Sequence, residues 1–526
     1  MLWIGLHLPL LSLESFASTL DAAQAARPLA LEQAHCIVQA DASARALGVR
    51  PGMRRATALG LVPQLLLVPA CAQRDVQALR AVAHAALAFS PAVTWAAAAD
   101  LDPNTPPPGT AGVLLEVASS LRYFGGHAAL LDRLGQALAP LGHHLQVASA
   151  PTALGAALLS RWRADLALGP HSQDRAALHS LLDEAPLWLL ADLLDAGATA
   201  REAWAAMGLH SVADLRRLPR DGLARRFGPA LLLALDRARG DAPDPQHWVE
   251  LPPQFSDKLE LFARADTTDQ LLAGARVLLA RLVAWAQGQQ ARIGRFTLQM
   301  HHERSTRRPD DVPPFSRLEL ALAEASLDAE HLQLLLAERL GRAPLPAPVL
   351  DLGLQCEHLV LAPPPAGELF PTRASLQEGL TRLVERLQAR LGRDQVQRLQ
   401  TVADHRPERA TVAWPADAPP PSSQAPAATE PPPRWPEHLP LTRPVWLLRQ
   451  PQPLAERELR PCLRGRPLQV LAGPERIESG WWDGDLVARD YYIADAGDGA
   501  LVWIYRLRLP LDAGQGSGWF LQGRFG

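Results

Sequence analysis

The sequence predicts an α+β chain of several domains with a small β-containing domain at its C-terminal end. Three observations carry that expectation. The chain is 526 residues long, and at roughly 150 residues per domain it holds three or four separate hydrophobic cores. Short apolar runs alternate with helical patterns through residues 1–170, whereas about Asp183 to Asp241 reads as purely helical. Residues 254–361 then read strand, helix, strand, strand, helix, strand, the order of a compact βαββαβ sandwich.

Taken in order, Leu2 to Leu8 is apolar but lacks a basic n-region and a small-residue cleavage site, so it reads as a buried first strand and not as a signal peptide. A helical region runs to about Leu20. An extended stretch, Cys36 to Ala40, and a helix stopped by Gly48 come next, with a Pro51-Gly52 turn behind them. Gly112 to Val117 reads as a buried strand with one carboxylate, Glu116, near its end. Gly125-Gly126 marks a turn, a helix runs to about Leu138, and His144 to Ala150 is another strand. A mixed sheet covered by helices is the simplest reading.

The helical stretch is broken at Gly197, Gly208, Pro219 and Gly228-Pro229. Short helices joined this way resemble helix-hairpin-helix units, whose helix N-termini offer backbone N–H groups to phosphate. Residues 201–240 carry eight Arg and four acids, a local charge of +4. In the βαββαβ segment the helices fall at about 268–287 and 328–340 and the later strands at 293–300, 317–322 and 349–354. Arg292 and Arg295 flank a strand start there, and Arg304, Arg307 and Arg308 crowd the following loop. A mildly basic helix is expected from about Ala374 to Gln400. Pro415 to Pro440, rich in Pro, Ala and Ser, reads as an extended linker. The last segment concentrates Trp481, Trp482, Tyr491, Tyr492, Trp503, Tyr505, Trp519 and Phe520. Most of these suit a small β core, and a fraction suits a protein-binding face.

Composition excludes several classes. With 52 Lys+Arg against 55 Asp+Glu the formal charge is −3, so any nucleic-acid surface must be local. The four cysteines, Cys36, Cys71, Cys356 and Cys462, show no CxxC spacing. That argues against a zinc site or a disulfide framework and for a reducing cytoplasm. The uncharged runs Ala81 to Ala99 and Leu134 to Ser160 are too weakly apolar for a membrane span.

Over roughly residues 1–360 the order of these segments resembles Y-family translesion DNA polymerases. The residues that carry the resemblance are the first strand, Ala44 to Met53, the strand ending at Glu116, and Ser149-Ala150-Pro151-Thr152 leading into a helix. The resemblance implies a palm from 1–12 and 72–170, fingers from 13–71, a helix-hairpin-helix thumb from 171–245 and a βαββαβ little finger from 254–361. Beyond it lie a clamp-motif and basic-helix region (362–410), a Pro-rich linker (411–440) and a C-terminal interaction domain (441–526).

Such polymerases hold two divalent ions with an Asp on the first strand and an Asp-Glu pair later in the palm. Magnesium needs oxygen ligands that apolar side chains cannot supply. The first Asp position matches Gly5, and its acidic neighbour matches His7. The pair falls on Leu115-Glu116, keeping one acid, or on Ala111-Gly112, keeping none. The fingers Tyr position falls on Ala42, although the nearby Arg matches Arg45, and the palm lysines fall on Ala153 and Ala157. These losses, with the linker and the aromatic C-terminal unit, resemble the catalytically silent Y-family paralogues of the bacterial damage-inducible mutasome.

That resemblance implies a non-enzymatic adaptor with no cofactor and no bound metal. Its implied partners are damaged or primer-template DNA, the sliding clamp, an ImuA-type RecA-like protein and an error-prone replicative-type polymerase, with no membrane. The implied DNA contacts are Arg216, Arg217, Arg225 and Arg226 in the thumb and Arg292 and Arg295 in the little finger. The clamp peptide of the family matches Pro365 to Phe370, where Glu368, Leu369 and Phe370 remain while Ala366 and Gly367 stand at the Gln and first aliphatic positions. Leu369-Phe370 equally suits local packing. The rival reading is an active polymerase with an atypical metal site built on Glu116 and His7. A third is a partner-binding protein that never touches DNA.

Overall fold

The computed structural model describes residues 1–96, 104–107, 109–191, 197–303, 313–361, 373–416, 443–497, 499–508 and 518–525, with residues 373–378 described in backbone only. The chain divides into two compact units, Met1–Arg390 and Leu391–Gly526.

The first unit opens with β1 (Trp3–His7), α1 (Leu11–Ala17) and α2 (Ala22–Ala25), then β2 (Leu29–Gln33), β3 (Cys36–Ala40), α3 (Ala42–Ala46), α4 (Arg55–Leu61) and β4 (Leu66–Pro69). It continues through α5 (Ala72–Ala86), β5 (Val93–Trp95), β6 (Gly112–Glu116), α6 (Leu121–Phe124), α7 (His127–Leu138), β7 (Gln146–Ala150) and α8 (Ala153–Trp162). Strands β5-β6-β1-β7 form an antiparallel sheet in that order. Successive strand side chains point to opposite faces, and both faces of β1 are used. Leu2, Ile4, Leu6 and Leu8 are buried in one core with side chains from α5 and α7. Trp3 is buried in another with Leu114, Ala148, Ala150 and the apolar face of α8. Each fully buried Leu in such a core contributes about 1.5–3 kcal/mol relative to exposure.

Between β1 and α5 the chain builds a second small sheet, β3-β2-β4, in which β2 and β4 run parallel. Only β3 is legible as extended in the sequence.

The helical stretch comprises α9 (Arg175–Glu184), α10 (Trp188–Ala191), α11 (Gly197–Ala206), α12 (Val212–Arg216), α13 (Arg220–Phe227) and α14 (Pro229–Arg239). Its local signals work as the residue types dictate. A Ser211/Asp214 capping box starts α12, satisfying N–H groups that the first helical turn leaves unpaired. Between α13 and α14, Gly228 adopts φ +86°, a value that favours glycine, and Pro229 opens α14.

The βαββαβ order is realised by β8 (Phe255–Ala265), α15 (Thr268–Gly288), β9 (Ala291–His302), β10 (Phe315–Ser326), α16 (Ala329–Leu340) and β11 (Val349–Leu361). The antiparallel sheet runs β10-β9-β11-β8 and shares one core with α15 and α16. Helix α15 is long and apolar enough to cross a membrane, yet 72% of its most apolar window is buried inside the protein. It is the central helix of this module. On its other side Ala280 and Ala284 enter the first core beside α5, and a Cβ on Gly288 would come within 2.7 Å of the His84 backbone oxygen. Arg281, only 4% exposed, donates to Asp257 at 2.9 Å. The charge is buried because it is paired.

Helix α17 (Arg373–Leu391) ends nine residues before the expected Gln400, stopped by Gly392 at φ +100°. In the second unit, β12 (Gln397–Thr401) pairs with β13 (Thr411–Pro415). A strand therefore occupies the first residues of the segment read as linker. Strand pairing outweighs the Pro-rich composition that begins at Pro415. The unit then builds β14 (Trp446–Pro453), β15 (Ala455–Arg457), β16 (Arg460–Leu463), β17 (Arg466–Pro467), β18 (Gln469–Ser479), β19 (Val487–Asp495), β20 (Leu501–Leu507) and β21 (Trp519–Arg524). Five of these strands form the sheet β14-β21-β20-β19-β18. Tyr491, Trp503, Tyr505 and Trp519 are buried in it, whereas Trp481 and Trp482 are exposed. Beneath the turn that carries those two tryptophans, Arg406 is almost wholly buried. It donates to Asp404 at 2.6 Å and to Asp483 at 2.6 Å.

All four cysteines are free thiols, with Cys356 and Cys462 buried.

Candidate functional site

Gly5 lies in the middle of β1, opposite Leu114 of β6 and Ala148 of β7. A Cβ at this position would stand 2.5 Å from the backbone oxygen of Ala156 and 3.0 Å from Ser160 Oγ, both on α8. Ordinary C···O contacts are ~3.3 Å or more. The helix has therefore closed over the strand where the resemblance places the first Asp. Its start is fixed by Thr152, which accepts from Gly155 N and donates to Ala238 O at 2.7 Å.

Two residues on, His7 is partly buried, with Nδ1 3.1 Å from the Ala111 carbonyl. A carbonyl only accepts, so the ring proton sits on Nδ1. Burial first, and then the charge of Arg161, push the His7 pKa down to about 4. The imidazole is neutral at pH 7.

Strand register separates the two placements of the acidic pair that the sequence leaves open. Ala111-Gly112 lies beside His7, since Gly112 pairs with His7 and Leu8 N donates to Ala111 O at 2.8 Å. Leu115-Glu116 lies at the other end of β1, opposite Ile4 and Trp3. There Leu115 is fully buried. The Glu116 carboxylate accepts from Leu2 N at 3.1 Å and Ala118 N at 3.2 Å. It ties the start of β1 to the turn after β6. Among the described residues no group of three or more His, Cys, Asp or Glu is placed to hold a metal ion.

A cleft of about 250 Å³ opens beside His7, with Ser12, Gln39, Asp75 and Ala111 among its walls. The one carboxylate among its described walls, Asp75, accepts from Ser12 and, at 3.3 Å, from Ser15. Asp75 carries no motif in the sequence. Its placement follows only from the packing of α5 on α1. Ala42 and Arg45 are exposed on α3 and are not among the cleft's walls. Ala153 and Ala157 are buried in the core under α8, where a lysine would lose its hydration.

The arginines fall into two sets. Arg216 meets both oxygens of Asp183 at 2.6 Å, and Arg239 reaches the same carboxylate at 3.2 Å. Arg217 pairs with Asp214 at 3.3 Å, and Arg220 holds Asp236 in a two-pronged contact. Arg225 and Arg226, on the exposed side of α13, make no ion pair among the described residues, and Arg226 lies over the Phe227 ring at 5.7 Å. On β9, exposed Arg295 pairs with Glu319 at 3.2 Å, while Arg292 is partly buried. Glu368, Leu369 and Phe370 lie outside the described residues, as do Arg304, Arg307 and Arg308.

The chain thus runs from a four-stranded antiparallel sheet through a helical stretch to a βαββαβ module, followed by an added β unit. No family model matches the sequence. Two curated relatives do: over 502 residues the chain is 30% identical to Protein ImuB from two strains of Caulobacter vibrioides, covering 91% of this chain and 100% of each relative. The chain belongs to the ImuB family. Solved structures similar to it include a ternary complex of Dbh (16% identity, 69% of this chain and 100% of that chain, TM-score 0.37). DinB from Sulfolobus solfataricus matches with 15% identity over the same shares and a TM-score of 0.35. Membership rests on the ImuB relatives alone.

Proposed function

We propose that this chain is a non-catalytic DNA-binding adaptor of damage-induced translesion synthesis in the bacterial cytoplasm. One observation carries the reading. At Gly5 the helix α8 occupies the space a metal-binding carboxylate would need, with 2.5 Å left between a Cβ and a backbone oxygen. Glu116, the remaining acid, already serves two backbone N–H groups. A two-ion mechanism needs several anionic oxygens converging on one point, and among the described residues Asp75 is the one carboxylate lining the cleft.

In this reading the first sheet is a palm-like scaffold and residues 13–71 are fingers-like. The helical stretch and the βαββαβ module, as thumb and little finger, hold primer-template through its phosphates without reading sequence. Arg225 and Arg226 lead the contacts because they have no ion pair to give up among the described residues. Arg216, Arg217 and Arg295 must exchange a carboxylate for a phosphate, and Arg292 is partly shielded. The region after residue 361 recruits partners: the sliding clamp through Glu368-Leu369-Phe370, and an ImuA-type protein and an error-prone polymerase through the C-terminal unit.

The decisive experiment is primer extension by the full chain with Mg²⁺ or Mn²⁺, with Glu116→Ala as control, beside salt-titrated binding of the same DNA. The expected outcome is binding without extension. Extension that requires Glu116 overturns the reading in favour of an active polymerase, and no binding at low salt reduces it to a partner-only scaffold. Replacing Leu369 and Phe370 with Ala is expected to abolish clamp pull-down. Unchanged capture retires that segment as the clamp site.

A further inference from the structure

Helix α17 is amphipathic in an unusual sense, because its described leucines face outward. At 100° per residue, Leu380, Leu383, Leu387 and Leu391 fall within an arc of about 80°. They are 48%, 52%, 37% and 50% exposed. The opposite side of the helix is the one that docks. Glu385, 7% exposed, accepts from the backbone N of Ala323 at 2.5 Å and bonds His331 Nε2 at 2.8 Å. Ala389 joins the core of the βαββαβ module. The helix is thus held by a polar clasp, and its apolar stripe is turned away. Isolated exposed leucines need no explanation, but a continuous row on one helix face does.

The charges beside the row are one-sided. Arg386 and Arg390 run along one flank, both exposed and without an ion pair among the described residues. The other flank carries Val384, Gln388 and Thr381. The spacing of three and four residues is that of a seam between two helices, and flanking charges select the partner. Among the described side chains of that face a second copy of this chain brings no carboxylate, since Glu385 is buried behind it. We infer that this row is the docking face for an amphipathic helix of a partner protein, one with an apolar seam bordered on one side by Asp or Glu. This deepens the adaptor reading and rests on it.

The test uses the full chain and two fluorescent helical peptides with leucines at the seam positions, one with Glu along a flank and one with Lys in its place. The Glu peptide is expected to bind and the Lys peptide to bind at least about tenfold more weakly. Leu383→Ser with Leu387→Ser should remove binding of the Glu peptide, and Arg386→Glu with Arg390→Glu should reverse the preference. All four positions are exposed, so unchanged circular dichroism and melting temperature check the fold. Equal binding of both peptides, no binding of either, or leucine-dependent dimers in sedimentation would overturn the inference. Candidate partners that co-purify equally with wild type and the serine variant would retire this face while leaving the adaptor reading standing. A failure of every partner to co-purify with wild type would remove the adaptor reading itself.

Discussion

Placing a side chain at Gly5 tests the closed pocket directly. The Cβ would stand 2.5 Å from Ala156 O, short of ordinary contact by about 0.8 Å. The obstructing atom is backbone in a helix pinned by Thr152, so the strain cannot escape through a rotamer change. Gly5→Ala should therefore cost about 1–3 kcal/mol, the usual range for overpacking. Gly5→Asp adds a carboxylate with no cation or donor waiting for it, a further penalty of roughly 1–3 kcal/mol. Urea unfolding followed by circular dichroism reads both as shifts in midpoint at constant slope, with isothermal titration of Mn²⁺ as the second measurement. The expected order is wild type, then Ala, then Asp, with no Mn²⁺ bound by the last. A Gly5→Asp protein as stable as wild type, or one that binds Mn²⁺ at this strand, would refute the argument from crowding.

Charge removal at Arg225 and Arg226 should weaken DNA binding at low salt and reduce the slope of log K against log salt by up to about 2. Removal at Arg216 should do less to binding and more to stability, because it leaves Asp183 to Arg239 alone. Wild-type affinity in the Arg225/Arg226 variant would contradict the thumb assignment. His7 and His84 are both held near about 4, below the ordinary 6.5, by burial first. The unfolded chain takes up those protons at higher pH than the folded one. Their contribution, about 3 kcal/mol each, is thus present above pH ~6.5 and lost as pH falls toward ~4. Thermal melts from pH 7.5 to 4.5 should show that slope, and a flatter one in His84→Gln. Replacing Arg406 by Met should take the bonded cation from Asp404 and leave Asp483 to Arg409 alone. Limited proteolysis is expected to cut within 404–409 and 480–485 faster than in wild type, and an unchanged pattern would show that the ion cluster does not hold that turn.

Much of the architecture is legible in the sequence, for reasons that can be named. The βαββαβ module reads correctly because its strands alternate with period two, its helices repeat near 3.6, and Thr267 and Asp328 mark the helix starts. The β3-β2-β4 sheet is largely hidden, since Leu29 to Gln33 and Leu66 to Pro69 are too short for periodicity to separate them from loop. Strand β13 is masked by the prolines that follow it. At the site, the glycine at position 5 is visible in the sequence, but the close approach of α8 to the strand is not. Neither is the use of Glu116 as a backbone acceptor, which depends on where Leu2 N arrives. Sequence also treats Arg216, Arg217, Arg225 and Arg226 as equals. Only folding brings Asp183 to Arg216, 33 residues away. The Arg406 cluster had a faint signature in Asp404-x-Arg406 and Asp483-Gly-Asp485, which aromatic content overshadows.

The contact between Gly5 and α8 also bears on heredity. An aspartate arriving first meets a helix that has not retreated, and a helix that retreats first leaves a void with nothing to fill it. Each single step is unfavourable, so the pair would have to arise together. The position couples strand and helix, so neither can change alone without cost.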